Sequence, residues 1–381
     1  MEKVKLGDIF NITSGGTPSR KNAEYYINGN IKWVKTGDLK KKYIENTEEY
    51  ITERGLKNSS AKMYREGTVL IAMYGATIGA VSILKTDACT NQACAAFVKD
   101  EKVIPEYLYY FLRSRKNKFI NDAFGGAQPN ISAGYLKNIF FNLVDLKKQK
   151  EIVNKMNIIE DIIDLRKKQI EDLEELIKSQ FIEMFDDSNY NVKIKDISNF
   201  LSRGKSPNYV GNSKIEVINQ ACIYWNEFRL SNTKYQDELK ISKSLDKLIK
   251  DRDVLITSTG TGTLGRCNVF EGEENKYMAD GHVTILRLNQ SIINPIYFKY
   301  YFMQEKIQKK LYSECVNGST NQIELAKDKF LNFNVVIPEI SLQNKFEIFV
   351  KEIDKQKFEI QKSLEEVQKL QESLMDKYFG G

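Results

Sequence analysis

The chain has 381 residues, 57 lysines and arginines against 51 aspartates and glutamates, and a net charge of +6. That length exceeds one ordinary core, so two globular domains plus connecting structure are expected. The opening MEKVKLGDIF carries no apolar signal core, and no stretch reaches the roughly 20 uncharged apolar residues of a membrane span, which implies a cytoplasmic protein without a membrane.

In chain order, Lys5-Leu-Gly-Asp-Ile9 leads into a glycine-bearing turn, Thr13-Ser-Gly-Gly-Thr-Pro-Ser19. Strands are expected over 69–73 and 81–84 on either side of a second glycine turn, Gly75-Ala-Thr-Ile-Gly79. The run Ile104-Pro-Glu-Tyr107 opens a helix with proline in its first turn, and Gly126-Ala-Gln-Pro-Asn-Ile131 reads as a loop. Each of these segments then recurs about 190 residues later, in order: 193–197, 201–207, 250–256 with its glycine turn at 260–265, 294–301 and 318–323. Strands are expected again over 254–257 and 283–288. An ordered recurrence of this kind is a duplication, and each half reads as a mixed α/β lobe.

Each half ends in a tract without proline or glycine, over 146–185 and 341–379. The apolar residues of the first fall at alternating spacings of four and three: Ile152, Met156, Ile159, Ile163, Ile170, Leu173, Ile177 and Met184. The second gives Phe346, Val350, Ile353, Ile360, Leu364, Val367, Leu374 and Tyr378, each 194 residues after a position of the first seam or of its interruptions Arg166 and Gln180. Heptad seams need partners. Two helices of matching length and register, one leading away from its lobe and one returning, predict an antiparallel intramolecular coiled coil. The domain boundaries expected are 1–145 and 188–338 for the lobes, and 146–187 and 339–381 for the helical tracts.

Divided on those boundaries, the lobes carry +6 and +5 and the helical tracts −3 and −2. Positive charge on the lobes and not on the helices suits lobes that face phosphates. The remaining motifs do not make an enzyme. Gly260-Thr-Gly262-Thr-Leu-Gly265 has dinucleotide-turn spacing but runs into a second strand, where that motif requires a helix. Asn294-Pro-Ile-Tyr297 resembles an amino-methyltransferase element, yet its counterpart at 104–107 lacks the asparagine, and proline at a helix start accounts for both. The single His282, in a strand-like stretch, reads as a half-buried structural residue, and Cys89, Cys94, Cys222, Cys267 and Cys315 read as reduced and buried, not as metal ligands.

The order of lobe, heptad helix, lobe and helix closely resembles the specificity subunit of type I restriction-modification enzymes across essentially the whole chain. Weaker local likenesses are Leu6-Gly-Asp-Ile9, the Gly-Thr-Pro at 16–18, the Val69-Leu-Ile strand, and Gln149 and Gln343 at the helix starts. The resemblance implies two target-recognition domains, each reading part of a bipartite asymmetric site on double-stranded DNA. It also implies two methylation subunits docked on the helices, and restriction subunits in the full complex. S-adenosylmethionine, ATP and magnesium would belong to those partners, with no cofactor, metal or catalytic residue in this chain. About 33 helical residues would make a ruler of roughly 50 Å, or about 14 base pairs. The alternatives are a self-sufficient DNA methyltransferase, which would need a methyl-donor loop not found here, and a coiled-coil scaffold that does not touch DNA.

Turn chemistry selects the DNA-contacting candidates, because small residues with cationic or amide neighbours can reach phosphates and base edges. In lobe one these are Thr17, Ser19, Arg20, Lys21, Tyr74, Thr77, Gln128 and Asn130. In lobe two they are Arg203, Lys205, Ser206, Thr257, Ser258, Thr261, Arg266, Asn321 and Gln322.

Overall fold

The computed structural model describes every residue except Met1, Lys99, Ala127, Gln128, Asp187, Asn189, 242–244, 319–322 and Gly381, together with the side chain of Asp246. It divides into two compact units, residues 1–168 with 361–381, and residues 169–360. Among the described residues no helix is long and apolar enough to cross a membrane.

In the first unit the main sheet has the order Ile12–Ser14, Cys94–Phe97, Val69–Ala72, Val81–Leu84, Tyr43–Ile44. Val69–Ala72 and Val81–Leu84 are buried along their whole length, the pattern of strands covered on both faces. A second sheet has the order Glu49–Ile51, Ile31–Val34, Ala88–Thr90, Met63–Tyr64, and contains a parallel pair, Ile31–Val34 with Ala88–Thr90. The first strand, Glu2–Lys5, pairs with Phe140–Leu143, so the lobe begins and ends side by side.

The second unit repeats this plan. Its main sheet runs Ser198–Arg203, Val283–Leu288, Val254–Thr257, Cys267–Val269, antiparallel throughout like the first four strands of the first unit's sheet, whose fifth strand, Tyr43–Ile44, is added parallel to Val81–Leu84. The parallel pair returns as Ile215–Ile218 with Tyr277–Ala279, and the closing pair as Asn191–Lys193 with Asn334–Val336. A bulge between Ser198 and Phe200 sets the first strands of the two main sheets out of step. It inserts one residue, so Ser14, opposite Ala95, matches Arg203, opposite Thr284, and Gly15 matches Gly204. The equivalence of 13–19 with 201–207 read from the sequence is therefore one residue out of step beyond the bulge.

Helices follow from local chemistry. Pro105 and Pro295 occupy the first turns of Pro105–Ser114 and Pro295–Met303, where a missing N–H is harmless. Asn294 caps the second of these, accepting from Ile296 N at 2.9 Å, and is buried, which explains the Asn-Pro-Ile-Tyr element as a helix start.

The two long helices, Leu146–Phe185 and Ile340–Phe379, are 40 residues each. In the first unit Ile152, Val153 and Met156 share a core with Phe379, beside Leu374 and Tyr378. In the second, Ile177, Phe181 and Phe185 share a core with Phe346, Val350 and Ile353, beside Leu173 and Met184. The start of one helix thus lies with the end of the other in both units, which makes the pair an antiparallel coiled coil. Ile159, Ile163 and Leu364 are also buried, whereas Ile170, Ile360 and Val367 are half-buried. The interrupting Lys357 forms an ion pair with Glu174 at 3.0 Å.

Candidate nucleic-acid interface

Four segments converge at one end of the first lobe's main sheet. Gly16 N donates to Thr90 O, Met73 N to Ala93 O, and Gly75 N to Pro129 O, each at 2.9 Å. Tyr74 and Asn130 form a β-bridge, and the Thr17 hydroxyl donates to Gln92 Oε1. Residues 15–19, 74–79, 91–93, 124–126 and 129–130 therefore form one edge. Gly75 and Gly79 have φ of 66° and 78°, the left-handed region open to glycine, so the backbone turns sharply here.

The second lobe builds the same edge with the same bonds. Lys205 N donates to Ala279 O at 3.1 Å, Ser258 N to His282 O at 2.8 Å, and Gly260 N to Ile323 O at 3.4 Å, while Thr259 bridges Glu324. Gly265 N donates to Thr257 O as Gly79 N does to Ala72 O, and the strand Cys267–Val269 follows, so the glycine motif opens no helix. The scaffold is common to both lobes and the side chains on it differ: Thr259 replaces Tyr74, and Glu324 replaces Asn130.

Thr17, Ser19 and Lys21 are exposed on the first edge, Tyr74 and Asn130 are half-buried at its bridge, and the Thr77 hydroxyl donates back to Tyr74 O at 3.0 Å. Arg20 is committed elsewhere. Its guanidinium lies 4.4 Å from the Tyr26 ring centroid and 5.1 Å from that of Trp33, and it pairs with Glu49 at 2.6 Å. The Trp33 indole donates to Gly16 O at 3.0 Å and the Tyr26 hydroxyl to Pro18 O at 2.5 Å, so this aromatic cluster props up the 16–20 loop. A hydrogen bond from Lys35 is the main reason that the Glu49 carboxyl titrates below the usual range, which keeps it charged toward Arg20.

On the second edge Lys205, Ser206 and Thr261 are exposed, Arg203 pairs with Glu324 at 3.0 Å, and half-buried Arg266 donates to Gly262 O at 3.1 Å. Arg266 and Arg229 also flank the Tyr224 ring, 5.3 Å and 3.9 Å from its centroid. Thr257 and Ser258 are corrected by the structure: both are fully buried, with hydroxyls donated to Thr263 O and shared with Thr284 Oγ1. They belong to the end of a covered strand and support the turn from beneath. Gln128, Asn321 and Gln322 lie outside the described residues.

His282 is a second correction. It is exposed, one residue before its strand, and its Nδ1 lies 2.9 Å from Thr259 Oγ1 on the edge itself. Sequence reasoning also missed Gln92 and Lys116. Lys116 is exposed and packs its stem where a Cβ on Gly79 would project, a contact between segments 37 residues apart in the chain that no local motif signals. All five cysteines are buried and unpaired by disulfides, burial pushing the Cys89 thiol up to about 12. Among the described residues no group of three or more histidine, cysteine or acidic side chains could hold a metal.

Each lobe is anchored to its own long helix by a buried glutamine. Gln149 Oε1 accepts from Ile104 N at 2.9 Å, and its Nε2 donates to Lys102 O and Val144 O, both at 2.8 Å. Gln343 repeats all three bonds with Asn294 N, Ile292 O and Pro338 O. Two lobes of one topology, fixed by the same device to an antiparallel helix pair, define the class of duplicated specificity subunits.

The chain belongs to the type I restriction modification DNA specificity domain family, whose profile matches residues 1–175 and again 187–369, and it is a specificity subunit of such a system. It is similar to the type I restriction enzyme MjaIX specificity subunit of Methanocaldococcus jannaschii, 26% identical over 99% of this chain and 92% of that one. It is also 26% identical to the EcoR124I/EcoR124II specificity subunit of Escherichia coli, over 47% of this chain and 48% of that one. The fold is shared with the S subunit from M. genitalium (TM-score 0.57, 15% identity, 99% and 96% of the two chains). It is shared too with a chain from a structure of type I R-M system assembly and conformational transition (TM-score 0.66, 17% identity, 100% and 97%).

Proposed function

We propose that this chain selects the DNA sequence for a type I complex and performs no chemistry itself, each lobe reading one half of a bipartite asymmetric site on double-stranded DNA. The observation that carries the reading is the common edge scaffold with unlike side chains, which lets one architecture read two different sequences. Thr17, Ser19, Lys21, Gln92 and Lys116 on the first edge, and Arg203, Lys205, Ser206, Thr261, Arg266 and His282 on the second, are the contacting groups of this reading. Residues 1–145 and 188–338 act as recognition domains.

The helical tracts 146–187 and 339–381 set the spacing between half-sites, and two methylation subunits carrying S-adenosylmethionine dock on this chain. Restriction subunits, with ATP and magnesium, join them in the cytoplasm. Mapping methylated adenines in the source genome gives the motif, and duplexes with that motif and with scrambled halves test the chain directly. The reading requires preference for the motif duplex, lost when either half is scrambled, together with capture of a methylation subunit. Equal binding to all duplexes, or methyl transfer by the purified chain alone, overturns it.

A further inference from the structure

The first edge carries one side chain that neither phosphate contact nor base-edge hydrogen bonding employs. Phe124 is 75% exposed, the most exposed aromatic ring among the described large hydrophobics. Its backbone is nonetheless fixed: Phe124 N donates to Asn130 O at 2.9 Å, and Asn130 N donates to Phe124 O at 2.7 Å. Asn130 in turn bridges Tyr74, and Pro129 O accepts from Gly75 N, so the ring's backbone is paired with a strand braced against the glycine turn of the recognition edge.

The two residues after the ring are glycines and carry no side chain beside it. Gly125 has φ of 105°, and a Cβ on Gly126 would meet nothing within 4 Å. Asp122, the nearest acid before the ring, accepts from the Tyr135 hydroxyl at 2.5 Å and is thereby drawn toward the lobe. An exposed apolar ring on a braced backbone at a basic lobe's polar edge has the form of a side chain that enters between stacked bases.

The second lobe lacks it. Glu324 takes the place of Asn130, and its strand partner is Asn317, whose Oδ1 accepts from Lys329 at 2.7 Å. An amide tied to its own lobe stands where the first lobe offers a free ring.

We infer that Phe124 is a DNA wedge: the first lobe inserts it at one base step of its half-site and unstacks that step, while the second lobe leaves its half-site stacked. The inference rests on the reading of the edge as DNA-facing. Unstacking ties recognition to how readily that step deforms, so the first lobe discriminates at a step it does not read by hydrogen bonds.

The test uses the full chain with motif duplexes carrying 2-aminopurine at one position at a time in each half, and a scrambled duplex as control. Wild type should raise emission about three-fold or more at one step of one half only, as an unstacked base does. Phe124→Ala should erase that rise and reduce, without abolishing, the preference for the motif duplex, and Phe124→Trp should keep the rise. Should Phe124→Ala fail to bind, Phe124→Leu must bind and show a reduced rise. Preferred motif binding with no rise, a rise in both halves, or a rise that survives Phe124→Ala overturns the wedge alone. Failure of wild type to prefer the motif over the scrambled duplex overturns the DNA-facing reading beneath it.

Discussion

Gln149 accepts the backbone amide of Ile104 at 2.9 Å with its side chain wholly buried, so the start of the first long helix is hydrogen-bonded to the start of a helix in the lobe. Two carbonyls take its amide protons, so both of the carboxamide's donors are used. Gln149→Ala removes the partner of three partly buried backbone groups and should lower stability by about 2–4 kcal/mol. Gln149→Glu should be worse, since a carboxylate would face two carbonyl oxygens. Denaturant midpoints check both, and Gln343→Ala should match Gln149→Ala because it makes the same three bonds.

Arg252 and Glu347 join lobe two to the second long helix through two hydrogen bonds, at 2.6 and 3.0 Å. Burial alone would push the Glu347 carboxyl up, but bonds from Arg252, Asn294 and Lys351 outweigh it and hold it at about 2, against 4.5 for the free group. A depressed folded pKa contributes stability that is complete above pH 4.5 and is lost as pH falls through about 2. The contribution is about 2 kcal/mol after allowance for solvent at the rim. Glu347→Gln should lower the denaturant midpoint at pH 7 and flatten its fall between pH 4.5 and 2; an unchanged slope would contradict the pairing.

Arg252 also sits at φ 64°, in the place that Gly67 fills at φ 86° in lobe one. Arg252→Gly relieves a backbone strain of about 1 kcal/mol while deleting the ion pair. The net effect at pH 7 should be destabilising, and at pH 2, where Glu347 is being protonated, neutral or stabilising. Thermal melts at the two pH values read the sign change.

Gly204 admits no side chain, because a Cβ there would overlap the backbone oxygens of Ala279 and Asp280, as one on Gly15 would overlap Thr90. Gly204→Ala should displace the 204–208 loop, cost about 1–3 kcal/mol, and weaken binding to one half-site only. Gly15→Ala should affect the other. Duplexes scrambled in one half at a time distinguish the two variants, and identical profiles would argue against one lobe per half-site.

Arg203 is paired with Glu324 at the second edge, both partly open to solvent. Arg203→Ala should weaken duplex binding about ten-fold and lower the salt dependence by about one released counterion. Glu324→Gln should tighten binding by removing a like charge that faces phosphates. Titrations at several salt concentrations check both, and unchanged affinity throughout would remove the pair from the interface.

The duplication and the helix pair were legible because apolar periodicity survives divergence, and Ile152 and Phe346 hold the same register 194 residues apart. The strands at Val81–Leu84 and Val254–Thr257 were legible as short, mainly aliphatic and β-branched runs beside glycine turns. What failed depends on tertiary contact. A bulge at Ser198 moves the turn equivalence by one residue, and no composition signals it. Thr257 and Ser258 look like turn residues but complete a covered strand, and the stacking of Arg20 on Tyr26 and Trp33 has no local signal. His282 reads as strand because Val283–Leu288 follows it, yet the chain emerges to solvent one residue earlier.

The pairing of Glu2–Lys5 with Phe140–Leu143, and of Asn191–Lys193 with Asn334–Val336, brings the two ends of each lobe to one place. A lobe can therefore lengthen a loop, lose one, or be exchanged whole between these strands without shifting a single turn of the helices. Drift in what is read is mechanically decoupled from the frame that carries it, so new specificities can arise without any loss of assembly.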